Sequence, residues 1–335
     1  MNKQWRLKKR PVAGPSEDCF ELVEADIPEL EPGKALIKTW YLGVAPVMLR
    51  YMQNETDFES ALALGDLMIG RGVGQVVASD CPTLPVGALV QARIGWQEYA
   101  LIDDQQIPAP FILRHDDLPA SHGLSSLGPS GFTALIGLRE IGQLKPNDVI
   151  LVSGAAGGVG SQVAQVAKAL GAKRVVGIAG GATKCAELIN SMGYDAAIDY
   201  KNDDVAARLA ELAPGGVNVF FDNVGGPVLD AVLLNIANRG RVAICGGISG
   251  YDNPGTGLEN LITMAQRNVM MQGFWYSEHS YLFEEGISCL GSWLRSGQLK
   301  EVFDMAEGFD AVPDAARGIF SGANMGKKLV HIADA

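Results

Sequence analysis

The run Ala155-Ala156-Gly157-Gly158-Val159-Gly160 stands between the apolar stretch NDVILVS and the segment SQVAQVAKAL, so a glycine-rich turn joins an expected strand to an expected helix. It is a GxGxxG variant with alanine in the first glycine's place. A turn of this kind suits a pyrophosphate. Gly157 lets the main chain approach the ligand, Gly160 allows close packing of helix on strand, and the helix start offers unpaired N–H groups at its positive dipole end. Candidate contacts are Gly157, Gly158, Val159, Gly160 and Ser161. In the usual dinucleotide fold the next strand ends in an Asp or Glu that grips the ribose hydroxyls. Here RVVGIA runs into Gly180-Gly181-Ala182-Thr183-Lys184, and the first carboxylate after Gly160 is Glu187, well inside the following helix. A carboxylate repels a 2′-phosphate, whereas an ammonium and free N–H groups at a helix start attract one. The empty position therefore predicts NADPH as cofactor, with Lys184 on its phosphate.

The elements that must position these residues follow from the rhythm of the chain. From Val149 onward, strands at NDVILVS, RVVGIA, AAIDY, VNVFFD, RVAICG and VMMQGFW alternate with helical patterns. Such alternation means a parallel sheet covered on both faces, a doubly wound α/β fold. The helix at 161 to 170 carries an inward stripe of Val163, Val166, Ala167 and Leu170 and stops at Gly171. Residues 1 to 125 read instead as short extended pieces, ALIKTWYLGV, GRGVGQVVAS, GALVQARI and GWQEYALID, broken by turn formers into a strand-rich, barrel-like unit. After a helix near 280 to 296, the tail from Leu299 has too few elements for a domain and is expected to pack on the first one. The expected organisation is thus 1–125 with 299–335 as one domain and 126–298 as the nucleotide-binding one.

Composition narrows the function classes. A chain of 335 residues exceeds the usual single core, and its 47% hydrophobic content is that of a folded protein. Its 27 basic residues against 38 acidic give a net charge of −11, which repels nucleic acid and anionic membrane surfaces. The start, MNKQWRLKKRP, leads into no apolar run, so a cytoplasmic location is expected. Five cysteines (Cys19, Cys81, Cys185, Cys245, Cys289) are scattered without CxxC spacing and read as plain thiols. His115, His122, His279 and His331 pair with none of them at ligand spacing, so no metal site is expected.

With these features in place, the chain resembles the zinc-independent medium-chain dehydrogenase/reductases, in the branch of prostaglandin reductases and alkenal double-bond reductases. The resemblance spans nearly the whole chain and rests on GRGVGQVVAS, GWQEYALI, GPSGFTALIGL, the 151 to 184 segment, GYDAAIDYK, VFFDNVGG, AICGGISGY and GANMGKKLV. It implies a GroES-like catalytic domain built from both chain ends, a Rossmann domain between them, and a homodimer. By matching motif it also implies Lys184 and Tyr200 on the 2′-phosphate and Asn223 against the cofactor. Cys245, Gly246, Gly247, Ile248 and Ser249, with Phe274, Trp275 and Tyr276, would flank the nicotinamide, and Asn324 would close over it.

The chemistry that fits is reduction of an activated C=C bond. Without a metal there is no Lewis acid for alcohol oxidation. Hydride addition to the β-carbon of an enone or enal asks only for a donor at the carbonyl oxygen, where negative charge collects. Tyr251, which ends ICGGISGY, is the candidate catalytic donor, and the resemblance implicates it in holding the substrate carbonyl. The proton itself has other candidate sources in water, a ribose hydroxyl or His279. Relatives carry a VDPYMR-like stretch where this chain has VAPVMLRYM, and the apolar Val44, Val47 and Met48 predict a greasy pocket for a hydrophobic enone or enal. Two alternatives remain at this point: a quinone reductase of the same superfamily, and an NADPH-binding protein without turnover.

Overall fold

The structure, a computed structural model, describes residues 1–12, 14–53, 61–114, 117–251 and 257–333. His115, expected not to be a metal ligand, lies outside them. The strands in chain order are β1 (Asn2–Leu7), β2 (Phe20–Ala25), β3 (Ala35–Gly43), β4 (Arg71–Ser79), β5 (Leu89–Arg93), β6 (Tyr99–Ile102) and β7 (Phe111–Ile112). A second series follows: β8 (Val149–Val152), β9 (Arg174–Ala179), β10 (Ala196–Asp199), β11 (Val217–Asp222), β12 (Ile236–Ile244) and β13 (Met270–Gly273). The tail adds β14 (Phe303–Glu307) and β15 (Lys327–His331). The chain divides into two compact units, 1–124 with 303–335 and 125–302.

In the first unit β3 is the organising strand. Its burial alternates along the pleat, as period-2 side chains on a half-buried sheet must. The antiparallel partner β4 covers one side of β3. On its other side β6 pairs with Ala35–Lys38 and the tail strand β15 with Tyr41–Gly43. The sheet runs β14-β15-β3-β4-β5-β7, so the tail packs on the first domain as the sequence predicts. Its core includes Ile37, Leu42, Val90 and Trp96, all fully buried.

The second unit is one parallel sheet ordered β10-β9-β8-β11-β12-β13, the doubly wound arrangement with its direction of winding reversed between β8 and β11. All six expected strands are present. The expected 161–170 helix forms as Gly160–Ala169. Val163, Val166 and Ala167 are fully buried as predicted, while Leu170 is only half-buried. This helix is apolar on one side yet buried on nearly all sides, because a second layer covers its polar face. Gln162 Oε1 accepts from Ser126 Oγ (2.8 Å), and Gln165 exchanges bonds with Lys300, giving Nε2 to its carbonyl (3.0 Å) and accepting from its N–H (2.8 Å). The half-buried Glu301 takes the Ser126 N–H (3.0 Å) and Gln162 Nε2 (3.2 Å), and removal from water pushes its carboxyl above its ordinary pKa. These bonds explain why residues 299–302, placed with the first domain on sequence grounds, group with the second. Residues 276–282 form a 3-10 turn bent at His279, so the regular helix expected near 280 begins at Phe283 and runs to Ser296. Among the described residues no helix is long and apolar enough to cross a membrane.

Two glycines of the turn differ in what they do. A Cβ on Gly160 would lie 2.4 Å from the Gly154 carbonyl oxygen and 2.6 Å from that of Ala155, whereas one on Gly157 would meet only Gly154 O, at 3.3 Å. Gly160→Ala is therefore expected to cost about 2–3 kcal/mol in urea denaturation, an overpacking penalty against rigid backbone, and Gly157→Ala about 1 kcal/mol or less. Equal losses would contradict this division.

Candidate functional site

The dinucleotide turn is built by what precedes and underlies it. Beyond β8 the chain turns at Gly154 (φ 57°) and enters the helix through Ala155–Val159. Gly157 N–H bonds Gly154 O (3.0 Å) and Ser161 N–H bonds Gly157 O (2.9 Å), which closes the turn on itself. From below, the buried Tyr194 gives its hydroxyl to Gly160 O (2.7 Å), and burial holds that phenol protonated far into the alkaline range. The predicted residues Gly157, Gly158, Val159, Gly160 and Ser161 thus share one turn at the carboxyl end of β8.

At the ends of the neighbouring strands lies the position without its own carboxylate. Gly181 (φ 94°) leads into the helix Ala182–Asn190, with Lys184 half-buried in the first turn. β9 and β10 pair Ala179 with Asp199, so Tyr200 follows directly beside Gly180, and its N–H bonds Ala179 O (3.1 Å). A Cβ on Gly180 would touch Lys201 Cε and Tyr200 Cε1, each at 2.9 Å. Two features escaped the sequence reading. Lys201 adds a second ammonium stem to this corner. Asp199, arriving from the adjacent strand, brings a carboxylate that sequence order hid, but its Oδ1 accepts from Gly181 N (2.7 Å) and Lys201 N (3.1 Å) and its Oδ2 from Asn202 Nδ2 (2.7 Å). The bond from Gly181 is the main cause that holds this carboxyl below its ordinary pKa.

Between β8 and β11 a polar network spans the sheet. Ser153, at the end of β8, gives its hydroxyl to Asp222 Oδ1 (2.6 Å) at the end of β11 and accepts from Asn223 N (2.8 Å). Asp222 also receives Val224 N (3.0 Å) and Gly225 N (3.0 and 3.1 Å). Asn223 gives Nδ2 to Ser153 O (2.7 Å), which leaves its Oδ1 as the open acceptor. The turn after β12 is laid on this one. Cys245 N and Gly246 N both bond Asp222 O (2.8 and 3.2 Å), Ile248 N reaches Asn223 O (3.5 Å), and Ser249 holds Val224 O through N (3.1 Å) and Oγ (2.6 Å). Gly247 has open space where a Cβ would stand. Burial, and then the Asp222 charge, push the Cys245 thiol up to about 12.

The remaining candidates are less uniform. The Phe274 ring turns inward, edge-on to Phe221 (6.1 Å, 84°). Trp275 is 41% exposed, and Tyr276 stacks on Phe283 (5.9 Å), itself stacked on Phe132 (4.5 Å). Tyr251 is half-buried at the end of the short helix Ile248–Gly250, with its N–H on Ile248 O (3.3 Å). Asn324 belongs to the other unit, where its Nδ2 bonds Gly326 O (3.4 Å). In that unit Val44 and Met48 are 3% and 7% exposed and belong to the apolar core, so of the three residues expected to line a greasy pocket only Val47 is half-buried. His122 lies tilted against Phe303, burial lowers its pKa, and His331 Nδ1 lies 2.8 Å from Glu307. Among the described residues no three His, Cys, Asp or Glu side chains converge as a metal site would require.

Comparison with known proteins accords with this geometry. Residues 3–109 match the model for the N-terminal domain of oxidoreductases, and residues 158–294 the model described as zinc-binding dehydrogenase. The chain is 34% identical to a 2-alkenal reductase (NADP(+)-dependent) of Nicotiana tabacum, covering 99% of this chain and 98% of that one. It is 36% identical to prostaglandin reductase 1 of Bos taurus, covering 98% of each. The crystal structure of CurA in complex with NADPH from Vibrio vulnificus superposes with a TM-score of 0.91 at 33% identity, covering 99% of this chain and 100% of that one. Likeness at this level over nearly the whole chain shows that it belongs to the medium-chain dehydrogenase/reductase family, in the branch that holds the alkenal and prostaglandin reductases.

Proposed function

We propose that this protein is an NADPH-dependent reductase of the C=C bond in α,β-unsaturated aldehydes and ketones, working without zinc. One observation carries the cofactor assignment. At the corner where an NAD site keeps a carboxylate free for the ribose hydroxyls, this chain has Gly180 and Gly181, flanked by Lys184 and Lys201, and the acceptor oxygens of the neighbouring Asp199 are taken up by Gly181, Lys201 and Asn202. The likeness to NADPH-dependent double-bond reductases supports the same reading, and a quinone reductase has no comparable support.

The residues fit the cofactor. The absence of a Cβ at Gly157, the N–H groups of Gly158 and Val159 and the Ser161 hydroxyl suit a pyrophosphate, Lys184 and Tyr200 suit the 2′-phosphate, and Asn223 Oδ1 is an acceptor for the nicotinamide ribose or amide. The turn 245–249, the stretch Phe274–Tyr276 and Asn324 are assigned to the nicotinamide side. When bound, the cofactor supplies the hydride. The protein's own part is to orient the acceptor alkene, exclude water, and place the Tyr251 hydroxyl as donor to the carbonyl oxygen on which charge develops. Hydride joins the β-carbon and a proton from solvent or Tyr251 completes the α-carbon. A hydrophobic enone or enal is the expected substrate class, and a cytoplasmic homodimer the expected form.

An assay following NADPH consumption with 2-alkenals, cyclic enones and quinones tests the activity. Turnover of alkenals or enones is expected, and their failure beside rapid quinone turnover would reject the reading. NADPH that binds tightly yet is oxidised by no acceptor would indicate a silent binder. Lys184→Ala should weaken NADPH by about 1–3 kcal/mol while barely changing NADH affinity; an equal loss for both, by calorimetry, would remove the phosphate role. Tyr251→Phe should lower kcat on an enone by about 10²-fold or more with little change in cofactor Kd. Unchanged kcat would take the phenol out of the reaction.

A further inference from the structure

The Asp222 carboxylate is an unusual group to find where it is. It is fully buried at the point where the sheet reverses its winding, and none of its partners is a cation. Oδ1 accepts from the Ser153 hydroxyl and from the N–H groups of Val224 and Gly225, while Oδ2 accepts from Gly225. Among the described residues no Lys, Arg or His forms an ion pair with it. These donors fit an ionised carboxylate, which only accepts; a protonated acid would have to turn an O–H into this ring of donors. Burial raises its pKa, and the bonds to Gly225, Ser153 and Val224 pull it back down. A buried charge satisfied by neutral donors keeps its field, because nothing of opposite sign cancels it and the surroundings screen it weakly.

That field points at one half of the ligand crevice. The adenosine half is assigned to the ends of β9 and β10 by Gly180, Lys184 and Tyr200, so the other nucleoside must lie beyond β8, over the turns that follow β11 and β12. Both turns hang from Asp222: its side chain holds the N–H groups of 224 and 225, and its carbonyl holds those of 245 and 246. The N–H groups of Cys245 and Gly246 on the Asp222 carbonyl (2.8 and 3.2 Å) set this turn against the charged residue, and burial, then the Asp222 charge, push the Cys245 thiol up to about 12.

We propose that Asp222 acts through its field on the nicotinamide half of the site, favouring the positively charged oxidised ring over the neutral reduced one. The proposal rests on the NADPH reading given above. The two cofactor forms carry the same phosphates and differ in the charge of the ring, so a negative group under that half discriminates between them. The same preference stabilises the positive charge that grows on the ring as hydride leaves, which is differential binding of the transition state. Asp222 touches no reacting atom in this account. It is a positioning residue that also sets the local potential, and through the Ser153 hydroxyl it braces the main chain of Asn223.

The test is the ratio of two equilibrium affinities. Asp222→Asn keeps the shape and, through its remaining oxygen, the bonds from Ser153, Val224 and Gly225, but removes the charge. Calorimetric titration of the full-length protein with NADP+ and with NADPH should show NADP+ weakened about tenfold relative to NADPH, equivalent to ~1.4 kcal/mol. Ser153→Ala keeps the charge and removes only the hydroxyl's bonds to Asp222 and to the Asn223 N–H, so any loss of affinity it causes should fall on both forms with their ratio unchanged. Should the Asn variant fail to fold, Asp222→Ser, smaller and also neutral, serves for the same pair of titrations, with the same relative loss of NADP+ expected. A ratio unmoved by removal of the charge overturns the proposal. Wild-type protein that binds neither form overturns the cofactor reading beneath it.

Discussion

The hydrogen bond from Ser153 to Asp222 joins the two strands between which the parallel sheet changes direction, and the nucleotide site is organised around it. On one side the chain leaves Ser153 for the glycine turn and its helix; on the other it leaves Asp222 for two turns stacked one on the other. A crevice opens at such a point because the helices that follow the two strands depart to opposite faces. Polar groups at the floor of a crevice must be satisfied internally, and here they are: the Ser153 hydroxyl both gives and accepts, and the Asp222 carboxylate gathers the N–H groups that would otherwise be stranded at the start of the next helix.

The two ends of the site handle charge in opposite ways. At the adenosine end Lys184 and Lys201 stand beside Asp199, whose oxygens are held by the N–H groups of Gly181 and Lys201 and by Asn202 and so are not offered to a ligand. Toward the nicotinamide end the buried carboxylate is left without a counter-ion. A nicotinamide dinucleotide carries its anionic groups at the first end and its variable positive charge at the second, so the distribution of charge in the protein follows that of the ligand. Aromatic packing completes the frame: Tyr276, Phe283 and Phe132 stack in series, and Phe274 meets Phe221, which ties the segment after β13 to the sheet core.

Much of this was legible beforehand. The alternation of apolar runs with helical patterns located all six strands of the nucleotide unit, because a strand buried on both faces is a continuous apolar run that few other environments tolerate. The glycine turn and the absence of a carboxylate after RVVGIA were equally plain. What the chain order hid were neighbours brought together by pairing between strands. Asp199 lies nineteen positions beyond Gly180 yet occupies the same corner, because β9 and β10 are adjacent and in register. The Asp222 side chain stood in view within DNVGG, but its partner Ser153 lies 69 residues away, and only the strand order makes them adjacent. Val44 and Met48 were ambiguous for another reason. Apolar side chains in a loop-like stretch fit a pocket wall or a core equally well, and the tight first unit took them into its core.

The pairing of β15 with β3 carries a further implication, for biosynthesis. The nucleotide unit is a single uninterrupted stretch of chain and can acquire its native contacts as soon as it has emerged, whereas the first unit lacks the strand between β14 and β3 until residues 327–331 have been made. Until then the Tyr41–Gly43 edge of β3 presents unpaired backbone groups to its surroundings. Nascent chains of this architecture therefore pass through a stage in which the later-made unit is complete and the earlier-made one is open-sided along that edge.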